Sequence, residues 1–291
     1  MASLDQIFKA YDIRGLVPDQ FDASLARAIG AAFARFAVID HPDGRGSGRV
    51  LVARDMRPSG VDLTRAFIDG VTSQGVDVVD LGLTSTDLLY FAAGALDAPG
   101  AVFTASHNPA QYNGIKFCLA GARPVGQDTG LAEIKRLAGE DVEGEGLARA
   151  PEPGSVQEQQ LIEAYADHVV GFVDQSVLRP LKVVADTANG MGGLVVPPVF
   201  ERLPFDLEVL FPELDGTFPN HPADPIQAEN LRDLQARVRE TGADVGLAFD
   251  GDADRVFLVD ERAEPVSGSL TTALVAQRIL ARNAGATVIY N

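Results

Sequence analysis

The chain has 291 residues, 46% of them hydrophobic, with a formal net charge of −17. That length suits about two domains, and that charge excludes the basic face that nucleic acid or an anionic membrane requires. The single cysteine, Cys118, excludes an internal disulfide and points to a reducing, cytoplasmic setting.

The N-terminal "MASLDQIFKAYDIRG" lacks the long apolar core of a signal peptide. The stretch "AIGAAFARFAVI" that follows is broken by Arg35 and too short to cross a bilayer, so it predicts a buried helix. "RVLVARD" (Arg49 to Asp55) reads as a strand and "GVDLTRAFIDGVTSQG" as a helix. "VDVVDLG" is a strand again, "STDLLYFAAGAL" a helix and "GAVFTA" a strand, which makes a βαβαβ pattern. The Gly-, Glu- and Pro-rich segment from Ala138 to Gln160 marks a first domain boundary.

"LIEAYADHVVGFV" then predicts a helix. "LKVVADTANGMGG" (Leu181 to Gly193) predicts a strand, a glycine-rich turn and an apolar helix, and "ADVGLAFDGDADR" another strand running into a loop. "SLTTALVAQRILARNAG" reads as an amphipathic helix and "ATVIYN" (Ala286 to Asn291) as a last strand. The expected fold is α/β: tandem α/β units with mixed, mostly parallel sheets, over residues 1–154, 155–256 and an incomplete third unit at 257–291. Its last strand, without sheet partners, would favour either disorder near the C-terminus or association with another chain.

Two loops carry chemistry. In "DGDADR", Asp250, Asp252 and Asp254 would spread over about 13 Å in a straight strand. If the chain curls at Gly251, all three can reach one Mg²⁺ at about 2.1 Å. An EF-hand is excluded because its obligatory glycine position holds Arg255 and the flanks read as strands. A phosphatase-type D-x-D-G-T site is excluded at "ELDGT" (Glu213 to Thr217), where glutamate takes the nucleophile's place; the segment reads as a turn. In "FTASHNPAQYNGIKF", Ser106 stands at the C-terminal end of an apolar strand, where open α/β sheets bind ligands. A helix cap is the alternative role for that serine. A Ser-His-Asp triad is disfavoured: there is no G-x-S-x-G elbow, and His107, as the next residue, is expected to point away from Ser106. Small anions would be met by a local group drawn from Arg14, Arg54, Arg57, Lys116, Arg123 and Arg255. A serine oxygen beside a three-aspartate cation site suits phosphoryl transfer, with Lys116 as general acid or base if desolvation lowers its pKa.

"TASHNP" (Thr104 to Pro109), "YNGIKF" (Tyr112 to Phe117), "DGDADR" and "YDIRG" (Tyr11 to Gly15), in this order, resemble the α-D-phosphohexomutases, in particular the bacterial phosphomannomutase/phosphoglucomutase branch. The resemblance implies that Ser106 is a phosphoserine and that Asp250, Asp252 and Asp254 bind Mg²⁺ with the Ser106 phosphate as a further ligand. It implies His107 and Lys116 as acid/base candidates, Arg255 beside the phosphoserine, and Tyr11 and Arg14 lining the substrate site. The implied reaction interconverts hexose 1-phosphate and 6-phosphate, of mannose or glucose, through a 1,6-bisphosphate. Ala253 stands where the family often has glycine, a change expected to matter little if its backbone angles suit alanine. The family has four domains and this chain ends within the third, so a weak or inactive mutase is expected from this polypeptide. A phosphoglucosamine mutase, or a Mg²⁺- and sugar-phosphate-binding module without turnover, are the alternatives.

Overall fold

The structure is a computed structural model and describes residues 4–40, 48–142 and 146–289. The first unit contains α1 (Leu4–Ile7), β1 (Ile13–Leu16), α2 (Ala23–Ala34), β2 (Arg49–Arg54), α3 (Gly60–Thr72) and β3 (Asp77–Leu83). It continues with α4 (Thr86–Ala95), β4 (Gly100–Phe103), β5 (Tyr112–Leu119), β6 (Arg123–Pro124), α5 (Leu131–Val142) and β7 (Val156–Glu158). The second unit contains α6 (Ile162–Val170), β8 (Lys182–Asp186), α7 (Gly192–Phe200), β9 (Asp206–Leu210), α8 (Arg232–Thr241), β10 (Val245–Phe249), β11 (Val256–Val259) and β12 (Pro265–Val266); α9 (Gly268–Arg282) follows.

Helices α2 and α4, which flank the first sheet, begin where a side chain accepts one of their first free N–H groups. Asp22 accepts from the Leu25 N–H at the start of α2, and Ser85 from the Leu88 N–H at the start of α4. The first sheet runs β1-β5-β4-β2-β3-β7, with β6 on β5; the second runs β12-β11-β10-β8-β9. Strands β4, β2, β3 and β7 are parallel neighbours, as are β10, β8 and β9, and the remaining strands pair antiparallel. The sheets are thus mixed, as expected, but not mostly parallel: among the described residues parallel and antiparallel strand pairings are equal in number.

Both faces of the first sheet are covered, which is why its central strands read as unbroken apolar runs. Val50 and Val52 of β2 pack into one core with Ile29, Phe33 and Phe67, while Leu51 and Ala53 pack into the opposite one with Leu89 and Ala92. Each such large side chain contributes about 1.5–3 kcal/mol by leaving water. In the second unit, Ala185, Val195 and Val196 fill one core, and Val184, Leu234 and Val238 the other.

Three further expectations need correction. Sheet membership carries the first unit through Glu158, beyond residue 154, because Ser155 is anchored on Asp77 and β7 adds to β3. The second unit extends through Val266, beyond residue 256, because β11 and β12 form its antiparallel edge. Residues 286–289 form no strand: no strand among the described residues pairs with them, and Ile289 is 90% exposed. Tyr290 and Asn291 lie outside the described residues. No helix among the described residues is long and apolar enough to cross a membrane.

Candidate functional site

The site forms where the two sheets turn the carboxyl ends of their parallel strands toward each other. β4 ends at Phe103 and runs into the serine loop; β10 ends at Phe249 and runs into the aspartate loop.

Ser106 is almost fully buried and left-handed, with φ of +53°. It does not cap a helix. Its N–H donates to Thr104 Oγ1 at 2.9 Å, and its hydroxyl donates to Asp250 Oδ2 at 2.7 Å, across the junction between the units. The aspartate loop closes as a tight turn, with the Ala253 N–H on the Asp250 carbonyl at 3.1 Å and the Asp250 N–H on the Arg255 carbonyl at 3.3 Å. The turn brings one carboxylate oxygen from each of Asp250, Asp252 and Asp254 within 4.8 Å of one another, so the chain curls as the cation reading required. Gly251 lets the loops meet: a Cβ there would lie 2.4 Å from the Ser106 carbonyl oxygen.

The positive groups come from both units. Lys116 Nζ, from β5, donates to Asp252 at 2.6 Å and Asp254 at 2.5 Å. Arg255 bonds Asp250 through Nε at 3.0 Å, reaches Ser106 Oγ through Nη2, and donates from Nη2 to His107 Nδ1 at 2.7 Å. The His107 ring therefore turns toward the serine, with Nδ1 3.5 Å from Ser106 Oγ, contrary to the expectation that it points away. The left-handed turn at Ser106 is the reason: alternate sides are guaranteed only along an extended chain.

Burial, then the neighbouring Asp252 and Asp254, push Asp250 up to about 7, against the pull of Arg255. Burial would raise Asp252 too, but Lys116 and the hydroxyl of Thr86 outweigh it and hold that carboxyl well below the usual range. For Lys116, burial alone would lower the pKa; the charges of Asp252 and Asp254 outweigh it and raise it instead, so desolvation does not make this lysine neutral. Burial and then Arg255 lower His107, which favours the neutral imidazole.

The other expected residues are spread along a neighbouring cleft of about 920 Å³, lined by Lys9, Tyr11, Arg14, Tyr90, Lys116 and Asp254 among others. Tyr11 is 82% exposed on it. Arg14 is tied to the serine loop through Asn108 Oδ1 at 2.5 Å and steadied by Asp12 at 2.7 Å. Arg123 stands apart, on a separate cavity with Asp97 and Leu119, and Arg54 donates to the Asp55 carbonyl at 3.3 Å.

The sequence did not reveal Thr86, whose hydroxyl donates to Asp252 Oδ2 at 2.7 Å, or Asp87, which burial and then Asp254 and Asp252 push up to about 6. Both lie at the start of α4, where Thr and Asp are ordinary first-turn residues. The donor set fits a hard divalent cation: three carboxylates converge, and the buried Asp252 Oδ1 has no hydrogen-bond partner.

This pairing of a buried serine with a triple-aspartate turn across two α/β units agrees with the sequence comparisons. Residues 5–143 match the family model for phosphoglucomutase/phosphomannomutase, alpha/beta/alpha domain I, and residues 163–264 match that for alpha/beta/alpha domain II. The chain belongs to the phosphoglucomutase/phosphomannomutase family. It is 41% identical over 287 residues to the phosphohexose mutases of Xanthomonas campestris pv. campestris, covering 98% of this chain and 61% of the relative. It is 41% identical over 288 residues to the phosphomannomutase/phosphoglucomutase of Pseudomonas putida, covering 99% of this chain and 59% of the relative. A solved phosphoglucomutase/phosphomannomutase family protein from Burkholderia thailandensis superposes with a TM-score of 0.85 at 38% identity, over 98% of this chain and 61% of that one. The chain thus spans 59 to 61% of the length of these relatives.

Proposed function

We propose that this chain holds the phosphoryl-transfer site of a hexose-phosphate mutase acting on mannose or glucose phosphates. The observation that carries the reading is the Ser106 hydroxyl, 2.7 Å from Asp250 and in contact with Arg255, at the junction of the two units. The names of the relatives, phosphomannomutase and phosphoglucomutase, support the substrate class.

Ser106 Oγ attacks one phosphorus of a hexose 1,6-bisphosphate. The Oγ–P bond forms and the P–O bond to the sugar breaks. As Arg255 Nη2 turns from His107 Nδ1 to the incoming phosphoryl oxygens, the freed Nδ1, 3.5 Å from Ser106 Oγ, takes the Ser106 proton; burial and Arg255 favour the neutral ring this needs. Lys116, charged beside Asp252 and Asp254, gives a proton to the leaving sugar oxygen. The reverse steps return the phosphoryl group to the other hydroxyl of a bound hexose monophosphate. Arg255 and Arg14 offset the charge of the phosphoryl group and hold the sugar phosphate in the cleft. Asp250, Asp252 and Asp254 would hold Mg²⁺, which when bound supplies positive charge to the transferring phosphoryl oxygens.

The test is the intact mass of the chain after incubation with glucose 1,6-bisphosphate and Mg²⁺, followed by peptide mapping. One added phosphoryl group on Ser106, absent in Ser106→Ala, is expected. A chain that binds Mg²⁺ and the bisphosphate yet gains no phosphoryl group is a binding module, and the proposal fails.

A further inference from the structure

Beneath the serine loop lies a guanidinium that the proposed chemistry does not use. Arg57 is fully buried. Its Nη1 donates to the carbonyls of Pro109 at 2.8 Å and Tyr112 at 2.9 Å. Its Nη2 donates to those of Ser106 at 2.9 Å and Asn108 at 2.7 Å, and its Nε to Asp55 Oδ2 at 3.2 Å. All five N–H groups of the guanidinium are thereby used. Four carbonyls of one short loop converge on one planar cation, an arrangement available only if the loop turns inward around it. A lysine has three donors on one atom and cannot reach all four carbonyls at once.

The second unit presses on this arginine from the other side. Gly216 lies against its backbone: a Cβ there would come within 2.5 Å of Arg57 Cα and 3.0 Å of its N. The Phe218 ring centre is 5.2 Å from the guanidinium carbon. The turn that carries them is fixed by Asp215, which accepts from the Thr217 N–H at 2.9 Å and hydroxyl at 2.7 Å. The segment "ELDGT", which the sequence offers only as a turn, therefore reaches across the junction to the arginine.

We propose that Arg57 is a positioning residue that sets the backbone of residues 106–112, and that the Asp215–Phe218 turn of the second unit locks it in place. Serine placement then depends on the docking of the two units, through groups that touch neither substrate nor cation. The catalytic consequence rests on the reading of Ser106 as the phosphoryl carrier; the backbone consequence does not.

The test compares the whole chain with Arg57→Lys by amide hydrogen exchange, Ser106 loading from glucose 1,6-bisphosphate, and Mg²⁺ titration. The protected amides of Ser106, Asn108 and Tyr112 are expected to exchange about tenfold faster or more in the variant, with those of β8 unchanged. Loading is expected to slow by about 100-fold, while Mg²⁺ affinity stays within about threefold because no aspartate has moved. Equal exchange at the three loop amides, or acceleration in β8 to the same degree, overturns the proposal. If Arg57→Lys does not fold, Phe218→Leu carries the test: about threefold faster exchange at the same amides supports the lock, and unchanged exchange overturns it. If the unaltered chain takes up no phosphoryl group, the proposed function fails, and the exchange data still decide the role of Arg57.

Discussion

The serine loop and the aspartate loop end comparable strands and each turns through a left-handed residue, Ser106 at φ +53° and Ala253 at φ +58°. They are held by different forces. The serine loop is held by its backbone, through carbonyls bonded to the fixed charge of Arg57. The aspartate loop is held by its side chains, through carboxylates balanced against Lys116 and Arg255. Backbone hydrogen bonds to a guanidinium change little with pH or ionic content. A cluster of buried carboxylates changes with both. The nucleophile thus sits on the insensitive loop and the cation site on the responsive one.

Removing the lysine should break this balance with the largest effect. In Lys116→Met, two carboxylates lose their lysine; Asp252, with no exposed side-chain surface, keeps only the neutral Thr86 hydroxyl, and Asp254 keeps Arg255 at 3.4 Å. Breaking a buried pair on one side costs about 3–5 kcal/mol. Lys116 keeps 16% of its side-chain surface, so the lower end is expected. Denaturant unfolding with chelator should show that loss, and saturating Mg²⁺ should recover most of it by binding only the folded state. A variant equally unstable with and without Mg²⁺ would place the role of Lys116 in packing rather than in charge balance.

The same comparison predicts a pH dependence centred on the second loop and on the start of α4 that faces it. Asp250 has a folded pKa of about 7 against an ordinary 3.8, and Asp87 about 6 against 3.8. Both groups bind more protons folded than unfolded between about pH 4 and pH 7, so metal-free stability falls as pH rises through that window. Asp252 is shifted the other way, and the stability it adds is lost only at pH below the window. A decline of about 1–3 kcal/mol between pH 5 and pH 8 is expected in chelator. It should flatten with saturating Mg²⁺, because a cation keeps Asp250 ionised without cost. Asp250→Asn should remove most of the slope, and the exchange of the Ser106 amide should stay constant throughout. A flat profile in the unaltered chain would mean that Arg255 alone neutralises Asp250.

The sequence showed most of what these predictions use, for reasons that differ by element. "RVLVARD" was legible as a strand because β2 is covered on both faces and needs apolar side chains on each. The three aspartates were legible because an i, i+2, i+4 acidic series between apolar strands has few uses other than a cation. Thr86 was not legible: its partner Asp252 is 166 residues away, and its own neighbourhood looks like any helix start. Arg57 was visible as one cation among six, but nothing in its flanks shows that four carbonyls of a distant loop close on it. The "ATVIYN" segment has strand propensity, yet a strand exists only where a neighbour supplies hydrogen bonds.

The smallest predicted effect falls on Ala253, where opposing terms nearly cancel. Its φ of +58° places an alanine in the left-handed region, against the condition under which it was expected to be harmless. That conformation costs an L-residue about 1–2 kcal/mol. Ala253→Gly relieves it but gives up a buried methyl, worth about 0.8 kcal/mol. It also adds about 0.5–1 kcal/mol of unfolded-state freedom. Denaturant unfolding should therefore place Ala253→Gly within about 0.5 kcal/mol of the unaltered chain. A gain above 1 kcal/mol would show that strain dominates, and an equal loss that the methyl does. The substitution should still be felt at the cation, because alanine limits the turns open to residues 250–255. With glycine the three carboxylates are ordered less before Mg²⁺ arrives, and a Kd about two- to threefold weaker is expected at nearly constant stability. Unchanged affinity would mean that Lys116 and Arg255, rather than the backbone, hold the carboxylates in place, which is the distinction between the two loops in its sharpest form.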